Sequence, residues 1–569
     1  MRLALLQLNA RLADPESNGR LIEGAYAEAV AAGADLVLTP ELAVVGYMAK
    51  DRLWEPALRR RIEAENQRLS ALAGAVPLVF GTCVEAPSGR LWNELRWAEG
   101  GRVREVARKR VLPSYDVFDE HRWFEPFPEP APLVPFRGAR VGLTICEDLW
   151  TDPEFSNVPL HYAAHPVEDL VQAGATLILN ASASPGNLGS WHPEGAAPAW
   201  AVPSKAAQRQ RLLQGLARKH RVPIAYASRS GAESWMLFDG GTGLVQPAGG
   251  WQGTAPFAEG IVYAELDAPG GAFEGTTEAR WLRTALRVGL QQNLAKQGLE
   301  AVVVGLSGGI DSAVVGALAA EALGPDRVLG VALPTRFSSG TSTDLAEAEA
   351  RHLGIPFLKL DADRPFAGAV AALESVFPDR AFSLTDENLQ SRSRGLLLMA
   401  LTTEPAVHAR LGSSRVAVLN TGNKSEAATG YFTLYGDGIG AFGLLGDCLK
   451  GRVYALAREL GEAIPRDVLE RPPTAELRPG QTDEASLLPY RQLDAILGAH
   501  LEAGRPQEGL HADLAELLDG ADLEGARQAL PRVLRLLQQT EFKRRQLPFA
   551  LRVSPKAFGA GRRIPLTSA

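Results

Sequence analysis

The sequence has few cysteines, no long apolar run and no excess of basic charge, and each shortage excludes a class of protein. Its three cysteines, Cys83, Cys146 and Cys448, lie far apart without CxxC spacing, so neither a disulfide framework nor a zinc site is predicted. No apolar stretch reaches the ~20 residues that span a bilayer, and the first residues lack the cleavage site of a secretory signal. We therefore expect a cytoplasmic protein without a membrane partner.

The overall composition is that of a mildly acidic globular protein. Lys and Arg total 59 against 66 Asp and Glu, which gives a net charge of −7 and disfavours nucleic acid as a partner. Apolar residues make up 46% of the chain and charged residues 22%, so there is ample material for burial. Since a single core rarely grows beyond ~250–300 residues, a chain of 569 residues predicts at least two domains.

Alternating apolar runs and helical patterns predict an α/β fold in both halves of the chain. A Pro/Gly-rich stretch after Asp267 has neither period, so we predict domains at residues 1–265 and 281–569 with a linker at 266–280. Near-continuous Val and Leu runs in the second half predict buried parallel strands. Strands are predicted at residues 3–8, 36–39, 78–82, 141–146, 176–180, 224–228, 301–306, 328–333, 357–360 and 416–419. Helices are predicted at residues 19–32, 57–73, 204–220 and 313–323.

Three reactive or polar residues of the first half each follow an apolar run, which is where parallel-sheet enzymes place their chemistry. They are Glu41 after Thr-Pro, Lys109 before Arg-Val-Leu-Pro, and Cys146 in Ile-Cys-Glu-Asp. Hydrolysis of an amide through a thioester needs a thiol nucleophile, a base and a cation for the oxyanion, and these three residues can supply them. Taken singly, each has a plainer interpretation as a structural cysteine, a strand-end glutamate and a solvated lysine.

Thr-Pro-Glu, Lys-x-x-Leu-Pro-x-Tyr and Ile-Cys-Glu-Asp, in this order, resemble the motifs of nitrilase-family amidases. The resemblance covers about residues 1–265 and implies a four-layer α-β-β-α sandwich. It also implies that Cys146 is the nucleophile, that Glu41 is the general base and that Lys109 stabilises the tetrahedral intermediate. Glu120 matches the second, supporting glutamate of the family, which can position Lys109 or handle a proton.

Two positions match residues that contact the substrate in the glutamine-using branch of this family, namely Tyr115 and Ser184. The sequence departs from the family at Ser190, where relatives usually have a basic residue. We therefore expect another cation, Lys205 or Arg209, to bind the α-carboxylate of glutamine. Residues 190–204 are predicted to form an irregular loop.

The most specific motif is Val-Gly-Leu-Ser-Gly-Gly-Ile-Asp-Ser, an apolar strand that runs into a glycine-rich turn and then a helix. Backbone amides of such a turn bind phosphate oxygens, and the N terminus of the helix adds a favourable dipole. The motif lacks the Gly-Lys-Ser/Thr ending of a Walker A loop and resembles instead the loop of the ATP pyrophosphatases. The resemblance implies ATP binding by Gly305, Ser307, Gly308, Gly309, Ile310, Asp311 and Ser312.

A metal ion is also predicted at this loop. A carboxylate in the first turn of the helix, where Asp311 stands, is costly near phosphates unless a cation bridges the two groups. We therefore expect Mg2+, with Asp311 as one ligand. Glu426, which follows another predicted strand, is the second expected ligand, and its role rests on the resemblance.

Five further segments select the NAD+ synthetase family among the ATP pyrophosphatases. They lie at residues 387–395, 420–426, 431–437, 473–477 and 541–546 and span nearly the whole second half. The ATP contacts implied by this resemblance are Thr421, Lys450 and Thr474. The contacts implied for the deamido-NAD+ substrate are Asn388, Glu426, Tyr431, Asp437 and Lys543.

Together the two resemblances imply a glutamine-dependent carbon–nitrogen ligase of the NAD+ synthetase family. In this reaction ATP adenylates the nicotinate carboxylate of deamido-NAD+ with release of pyrophosphate, and ammonia from glutamine then displaces AMP. Because the ammonium ion is not a nucleophile, we expect a buried conduit for ammonia between the domains. The resemblance further implies a homo-oligomer with a dimeric synthetase core.

Two alternatives stay open on the sequence alone. The first is an RNA-modifying enzyme that combines a pyrophosphatase loop with an amidase, and the acidic net charge disfavours it. The second is a first domain that binds a partner without catalysis, and the intact set of Cys146, Glu41 and Lys109 disfavours that. Strong binding to RNA would support the first alternative, and failure of glutamine to replace ammonium would support the second.

Overall fold

The structure is a computed structural model that describes residues 1–156, 158–193, 195, 197–273, 275–472, 474, 476–478, 487–559 and 561–567. Pro473 and Ala475 of the predicted 473–477 segment, Glu274 of the predicted linker, and Glu194 and Ala196 of the predicted loop lie outside the described residues. The chain divides into two compact units. The first unit comprises Met1–Gly186, Ser204–Ala232 and Leu237–Thr276. The second comprises Asn187–Pro203, Glu233–Met236 and Thr277–Ala569.

Within the described residues, the first unit contains two six-stranded sheets and most of a two-stranded ribbon, whose turn at Glu233–Met236 counts with the second unit. The strands are β1 (Arg2–Gln7), β2 (Leu36–Leu38), β3 (Leu78–Glu85), β4 (Leu91–Glu99), β5 (Arg102–Arg108), β6 (Val134–Phe136), β7 (Ala139–Ile145), β8 (Leu177–Ser182), β9 (Ile224–Ser228), β10 (Ser230–Glu233), β11 (Met236–Asp239), β12 (Gly243–Val245), β13 (Trp251–Gly253) and β14 (Gly260–Glu265). The sheet orders are β14-β1-β2-β3-β4-β5 and β13-β12-β9-β8-β7-β6, and β10 pairs with β11. The helices are α1 (Pro15–Ala31), α2 (Pro56–Leu72), α3 (Pro166–Gln172) and α4 (Lys205–His220). Short 3-10 turns occur at Lys50–Trp54, Glu120–Arg122 and Cys146–Leu149.

The core of the first unit lies between its two sheets. Leu5 and Leu38 of one sheet and Leu143 and Leu179 of the other belong to one buried apolar cluster. Helices α1 and α2 pack against the first sheet, whereas α3 and α4 pack against the outer face of the second. Nearly every residue of β1 and every residue of β8 is buried, so these strands are covered on both faces. The predicted four-layer α-β-β-α sandwich is confirmed.

All six strands predicted in the first half are present, but two boundaries were wrong in ways that matter for chemistry. The strand predicted at 141–146 ends at Ile145, so Cys146 stands in the turn that follows it. In the second half, the helix predicted at 313–323 begins three residues earlier, at Ile310. The β4–β5 hairpin was missed because charged residues such as Glu94 and Arg96 interrupt its apolar pattern.

In the part of the second unit that the structure describes, a five-stranded parallel sheet has the order β17-β16-β15-β18-β19. The strands are β15 (Ala301–Gly305), β16 (Val328–Ala332), β17 (Phe357–Lys359), β18 (Val416–Asn420) and β19 (Phe442–Gly443). The helices are α5 (Glu278–Gln297), α6 (Ile310–Leu323), α7 (Gly340–Leu353), α8 (Asp363–Glu374), α9 (Leu384–Leu401), α10 (Pro405–Leu411), α11 (Lys424–Thr429), α12 (Lys450–Leu460), α13 (Arg466–Glu470), α14 (Tyr490–Leu497), α15 (Leu510–Leu517), α16 (Gly520–Gln539) and α17 (Glu541–Arg544). Further short turns lie at Pro325–Arg327, Gly461–Ala463 and Gln507–Gly509, and a π-helix lies at Gly498–Glu502.

The strand order of this sheet positions the second site. Strand β15 pairs with β16 on one side and with β18 on the other, and both pairings are parallel. The chain leaves the carboxyl ends of β15 and β18 in loops that lie side by side, at the point where the strand order reverses. Open α/β sheets bind ligands in the crevice at this point. The predicted buried parallel sheet is thereby confirmed.

None of the described helices is both long enough and apolar enough to cross a membrane. Helices α14, α15 and α16 form a separate apolar cluster in the second unit, which includes Leu493, Leu514 and Leu530.

A buried carboxyl group makes the stability of the second unit depend on pH. Glu349 on α7 is fully buried, and neither of its carboxylate oxygens has a hydrogen-bond partner among the described residues. Burial raises the pKa of Glu349 from 4.5 to about 8. The folded state favours the protonated form of Glu349. The contribution of this preference to the free energy of unfolding is therefore complete below pH 4.5 and is lost as the pH rises towards 8. We expect Glu349→Met to raise the thermal midpoint at pH 9 by at least about 4 °C, with a smaller gain at pH 5.

The matched control is Glu347→Met on the same helix, where the carboxylate is half exposed and pairs with Arg351. This control should change the thermal midpoint by less than about 1 °C at either pH. An equal gain at both pH values for Glu349→Met would show that packing, rather than the charge, sets the difference.

Candidate active sites

Cys146 stands in a strained turn at the end of β7. Its φ angle is 45°, in the left-handed region that residues with a side chain rarely adopt. The carboxylate of Asp148 holds this turn, because it accepts a hydrogen bond from the backbone N–H of Ile145 at 2.9 Å. Asp148 also accepts the N–H groups of Arg110 and Val111, both at 3.1 Å. The turn that carries the thiol is therefore tied directly to the loop that carries Lys109.

Lys109 joins both predicted glutamates in one buried cluster. Its Nζ donates to Glu41 Oε1 at 2.7 Å and to both carboxylate oxygens of Glu120 at 2.8 Å. Asn93 donates to Glu41 Oε1 at 2.7 Å, and the hydroxyl of Tyr47 donates to Glu120 Oε1 at 2.6 Å. All three charged side chains are at most 3% exposed, so each charge depends on the others for compensation.

The cluster acts electrostatically on the thiol. Burial raises the pKa of Cys146 well above its ordinary value, and the charge of Glu41 raises it further, while Lys109 lowers it. Burial likewise raises the pKa of Glu120 to about 7. Burial lowers the pKa of Lys109, but the charges of Glu120 and Glu41 outweigh it and keep Lys109 protonated. The resting thiol is therefore neutral and needs a base, and a carboxylate that acts on it is in place.

A carboxylate next to the cysteine, not predicted from the sequence, forms part of the same site. Glu147 accepts hydrogen bonds from Tyr115 at 3.0 Å and from Tyr162 at 2.8 Å. Burial raises the pKa of Glu147, while the charges of Lys109 and Lys205 lower it. The Ile-Cys-Glu-Asp motif contained this residue, but a motif does not show which way a side chain points.

The remaining residues predicted to bind glutamine differ in their surroundings. Ser184 is buried two residues beyond the end of β8. Arg209 donates to Asp239 Oδ1 at 2.8 Å and to the carbonyl of Gly240 at 3.0 Å, so its charge is already compensated. Lys205 Nζ lies 3.7 Å from the ring centre of Trp150. Of the two cations, Lys205 is therefore the one whose charge also acts on Glu147.

The Ser307–Ser312 loop of the second unit is built to keep its backbone close to a ligand. Gly308 has a φ angle of 73°, and a Cβ atom there would lie 2.5 Å from the carbonyl oxygen of Ser342. Only glycine fits this position. Ser312 Oγ donates to the carbonyl of Gly309 at 2.9 Å and accepts the N–H of Ser307 at 3.2 Å, which closes the loop on the first turn of α6.

The two predicted metal ligands converge on one lysine. Lys450 Nζ donates to Asp311 Oδ2 and lies 3.7 Å from Glu426 Oε1. Asn423 Nδ2 donates to the other oxygen of Asp311 at 3.0 Å, and its backbone N–H donates to Glu426 at 3.3 Å. Burial lowers the pKa of Lys450, but the charges of Asp311 and Glu426 outweigh it and hold that pKa above its ordinary value. Lys450 is thus a buried cation that interacts with both carboxylates.

A cavity of about 540 Å³ brings most of the predicted residues of the second unit together. Those lining it are Gly305, Ser307, Gly309, Ile310, Asp311, Ser312, Asn388, Thr421, Glu426, Tyr431, Asp437, Thr474 and Lys543. Gly308 and Lys450 are not among these lining residues. Gly308 forms part of the loop backbone, and Lys450 contacts the lining residue Asp311. The cavity is large enough for a nucleotide-sized ligand.

Hydrogen bonds hold several of the polar side chains that line this cavity. Asp437 Oδ1 accepts from Ser391 Oγ at 2.7 Å, and Asn388 Oδ1 accepts from Thr433 Oγ1 at 2.8 Å. Lys543 Nζ donates to the carbonyl oxygens of Gly430 and Phe432, both at 2.7 Å. These contacts connect α9, the segment after α11 and α17, which are far apart in the sequence.

Comparison with known proteins identifies both halves of the chain. The carbon-nitrogen hydrolase family matches residues 2–271, and the NAD synthase family matches residues 282–547. Glutamine-dependent NAD(+) synthetase from a Synechocystis strain is 36% identical over 588 residues, covering 100% of this chain and 98% of the relative. The protein of the same name from Xanthomonas campestris is also 36% identical, and the match covers 100% of this chain and 97% of the relative. The chain belongs to the glutamine-dependent NAD+ synthetase family.

A solved structure of the family has the same fold over nearly its full length. Glutamine-dependent NAD+ synthetase from Acinetobacter baumannii, in complex with ADP, is 28% identical and superposes with a TM-score of 0.73, covering 99% of this chain and 98% of that one. Membership of this family decides against the RNA-modifying enzyme considered above.

Two arginines that line the same cavity were not predicted from the sequence. Arg394 donates to the carbonyl of Leu333 at 3.1 Å, and burial lowers its pKa. Arg471 donates to Ser342 Oγ and to Glu476 Oε1, both at 2.8 Å. Arg394 lies within the 387–395 segment, so its burial was the missing information. Arg471 precedes the 473–477 segment and carried no signal of its own.

We expect Glu120→Gln to slow glutamine hydrolysis by at least about 100-fold while leaving ammonium-dependent NAD+ formation unchanged. Glutamine hydrolysis of the wild type should decline as the pH falls below about 7, where Glu120 is protonated and no longer pairs with Lys109 as an anion. The measurement is the rate of glutamate release between pH 5.5 and pH 9.

The control for this prediction is Glu129→Gln, at an exposed glutamate of the same connecting segment. It should keep the wild-type rate and the wild-type pH profile. A Glu120→Gln enzyme with normal activity and the same acid limb would assign that ionisation to another group.

Proposed function

We propose that this chain converts deamido-NAD+ to NAD+ with ATP, using ammonia that it releases from glutamine. The observation that supports the proposal most directly is that one chain contains both chemical sites intact. Cys146 lies beside the Glu41–Lys109 pair in the first unit, and Asp311 and Glu426 lie beside a phosphate-type loop in the second. In domain terms, we propose an amidohydrolase at residues 1–265, a linker at 266–280 and a synthetase at 281–569.

In the amidohydrolase half, Glu41 accepts the proton of the Cys146 thiol as sulfur attacks the side-chain carbonyl carbon of glutamine. Lys109 stays protonated because two carboxylates surround it, and its charge offsets the oxyanion that develops. As this intermediate collapses, Glu41 gives the proton to the departing amide nitrogen, so that the C–N bond breaks, the glutamyl thioester forms and ammonia leaves. Water then hydrolyses the thioester and regenerates the thiol, with Glu41 as the base.

Glutamine recognition is proposed to use opposite charges at the two ends of the amino acid. Glu147, oriented by Tyr115 and Tyr162, is a buried anion suited to the α-ammonium group. Lys205 is suited to the α-carboxylate in place of the cation that is missing at Ser190. Ser184 is proposed as a further contact to the substrate.

In the synthetase half, the loop amides of Ser307–Ser312 and the N terminus of α6 are proposed to bind the phosphates of ATP. Among the described residues, no group of three or more His, Cys, Asp and Glu side chains is placed to hold a metal by itself. Asp311 and Glu426 supply two carboxylates at one point, which suits Mg2+, an ion that completes its shell with phosphate oxygens and water. When bound, Mg2+ offsets the charge of the phosphates.

The chain's own residues then assist the transfer. Lys450 carries a positive charge behind Asp311, and Thr421 and Thr474 line the cavity beside the loop. The same cavity is lined by the residues proposed to bind deamido-NAD+, which are Asn388, Glu426, Tyr431, Asp437 and Lys543. The nicotinate carboxylate attacks the α-phosphorus and pyrophosphate leaves. Ammonia attacks the resulting acyl-adenylate, and AMP departs.

Three further features complete the proposal. A buried conduit is proposed to carry ammonia between the two sites, because released ammonia would otherwise be protonated and lost as a nucleophile. A homo-oligomer with a dimeric synthetase core is proposed, and Leu384, Leu396 and Met399 on α9 are exposed apolar side chains of the kind that such contacts cover. A cytoplasmic location is proposed from the buried, unpaired cysteines.

The decisive experiment supplies glutamine labelled with 15N in its side-chain amide, together with deamido-NAD+ and ATP. We expect the label in the carboxamide of the NAD+ formed, with one AMP and one pyrophosphate for each NAD+. Unlabelled ammonium added in excess provides the competition control. Label that stays in free ammonium while unlabelled NAD+ accumulates would contradict transfer between the sites, and absence of NAD+ would contradict the function itself.

A further inference from the structure

Helix α14 carries two buried polar side chains to which the proposed function gives no role. Tyr490 is 7% exposed and Asp494 is 1% exposed. Because they are four residues apart, both side chains lie on the same face of the helix. This helix packs against α11 and α12, which carry Glu426 and Lys450. Neither Tyr490 nor Asp494 is among the residues that line the synthetase cavity, so any effect on the reaction must pass through a neighbour.

Asp494 completes the N terminus of α12. The first N–H groups of a helix have no partner within it and need acceptors from elsewhere. The residue before α12 is Leu449, whose side chain cannot accept a hydrogen bond. The N–H of Gly451 donates instead to Asp494 Oδ2 at 2.7 Å, and the N–H of Lys450 donates to Ser425 Oγ at 2.9 Å. Ser425 Oγ in turn donates to Asp494 Oδ1 at 2.5 Å. A carboxylate on α14 thus takes the place of an N-cap side chain.

These contacts hold the carboxylate and the helix end together. Burial raises the pKa of Asp494 to about 7, while the hydrogen bonds from Ser425 and Gly451 lower it. An anion at the N terminus of a helix is also favoured by the helix dipole. Loss of either hydrogen bond would leave a buried polar group without a partner, which is costly. The position of Asp494 therefore fixes the first turn of α12.

The first turn of α12 determines where the charge of Lys450 lies. Lys450 is the first residue of this helix, and its Nζ donates to Asp311 Oδ2. Because its side chain is buried among packed neighbours, a shift of the backbone moves the ammonium group with it. Misplacement of a group in an active site by about 1 Å can lower a rate about 100-fold.

Tyr490 contacts the other end of the same lysine. Its ring centre lies 4.9 Å from Lys450 Nζ, within the range of a cation–π interaction. Its hydroxyl donates to Glu426 Oε1 at 3.4 Å, and that carboxylate oxygen lies 3.7 Å from Lys450 Nζ. The aromatic ring therefore holds the ammonium group in place without adding a negative charge beside it.

We propose that Asp494 and Tyr490 are positioning residues for Lys450, Asp494 through the backbone of the lysine and Tyr490 through its ammonium group. Together they set the charge of Lys450 where negative charge develops as pyrophosphate leaves. This inference rests on the proposed function and deepens it, because it assigns α14 a part in the adenylation step. Since the contact acts on the transition state, its loss should lower kcat and leave KM nearly unchanged.

The test measures kcat, and KM for ATP and for deamido-NAD+, in ammonium-dependent NAD+ formation. Asp494→Asn keeps one acceptor but puts an amide NH2 group in place of the other. We expect it to lower kcat by at least about 30-fold, with each KM within about three-fold of the wild type. Tyr490→Leu, which removes the ring, should lower kcat by at least about 10-fold, whereas Tyr490→Phe, which keeps it, should stay within about three-fold.

The matched control is Asp513→Asn. Asp513 is also a buried acid, on α15 of the same apolar cluster, but it pairs with Arg505. Its loss should lower the thermal midpoint and keep kcat within about two-fold of the wild type.

A second measurement separates positioning from a merely structural role. In a Lys450→Met background, Asp494→Asn should cause less than about a three-fold further loss of kcat, because Asp494 acts through Lys450. A structural contribution would instead lower kcat by the same factor in both backgrounds.

Two results would overturn the positioning role. One is a wild-type kcat in both Asp494→Asn and Tyr490→Leu, and the other is an undiminished loss from Asp494→Asn in the Lys450→Met background. If circular dichroism shows that Asp494→Asn does not fold, the tyrosine variants decide, since equal kcat values for Tyr490→Leu and Tyr490→Phe would contradict the proposal. The proposed function fails separately, if the wild type forms no NAD+ from deamido-NAD+, ATP and ammonium.

Discussion

Cys146→Ala is expected to abolish glutamine-dependent NAD+ formation, by at least about 1,000-fold, and to leave ammonium-dependent formation within about two-fold of the wild type. The substitution removes only the thiol group. The hydrogen bonds of Lys109 to Glu41 and Glu120 do not involve that group and should remain. Without sulfur there is no thioester and hence no release of ammonia. The synthetase cavity has no residue in common with this cluster, so added ammonium reaches an intact site.

The matched control is Cys83→Ala, which removes another buried thiol of the first unit. Burial raises the pKa of Cys83 to about 12, as expected for an inert structural cysteine. This variant should keep both nitrogen sources active. Loss of both activities in Cys146→Ala would contradict independent sites, and loss of neither would remove Cys146 from the mechanism.

Asp311→Asn is expected to give the opposite pattern. NAD+ formation should fall by at least about 100-fold with either nitrogen source, while glutamine hydrolysis without the other substrates should persist. The substitution removes one of two carboxylates at the proposed Mg2+ position and leaves the buried ammonium of Lys450 with Glu426 at 3.7 Å as its carboxylate partner. The local charge then becomes more positive by one unit, which disfavours a divalent cation.

The measurement is the NAD+ formation rate as a function of Mg2+ concentration. The Asp311→Asn enzyme should need more Mg2+ and should not recover the wild-type rate at saturation. Asp326→Asn, at an exposed acid beyond the other end of α6, is the control with the same change of charge. If Asp311→Asn keeps the wild-type dependence on Mg2+, another residue binds the ion.

Some features of both sites could be predicted from short segments because their chemistry is local. A glycine-rich turn between a strand and a helix binds phosphate through its own backbone, so Gly308 and Asp311 could be identified without a structure. Cys146 was predicted in the same way, although its strand was extended by one residue. That single residue separates an ordinary strand position from the strained turn in which the thiol stands.

Other features needed tertiary contacts. The Lys109–Glu120 ion pair spans 11 residues, the Lys109–Glu41 pair 68 and the Lys450–Asp311 pair 139. Arg209 and Lys205 were equivalent in the sequence, and only the position of Asp239 shows that Arg209 already has a partner. The irregular loop predicted at 190–204 gave no indication that Trp191 packs against Gly451 and Gly498.

The sequence by itself determined the α/β fold, and it predicted a nucleophile with its base and its cation, and a phosphate loop with its first carboxylate. These depend on residue type and on spacing over a few positions, which a linear pattern retains. Only the tertiary structure decided which charges are buried together and which partner each of them has. Those properties arise because burial makes the free energy of each charge depend on groups that are distant in the chain.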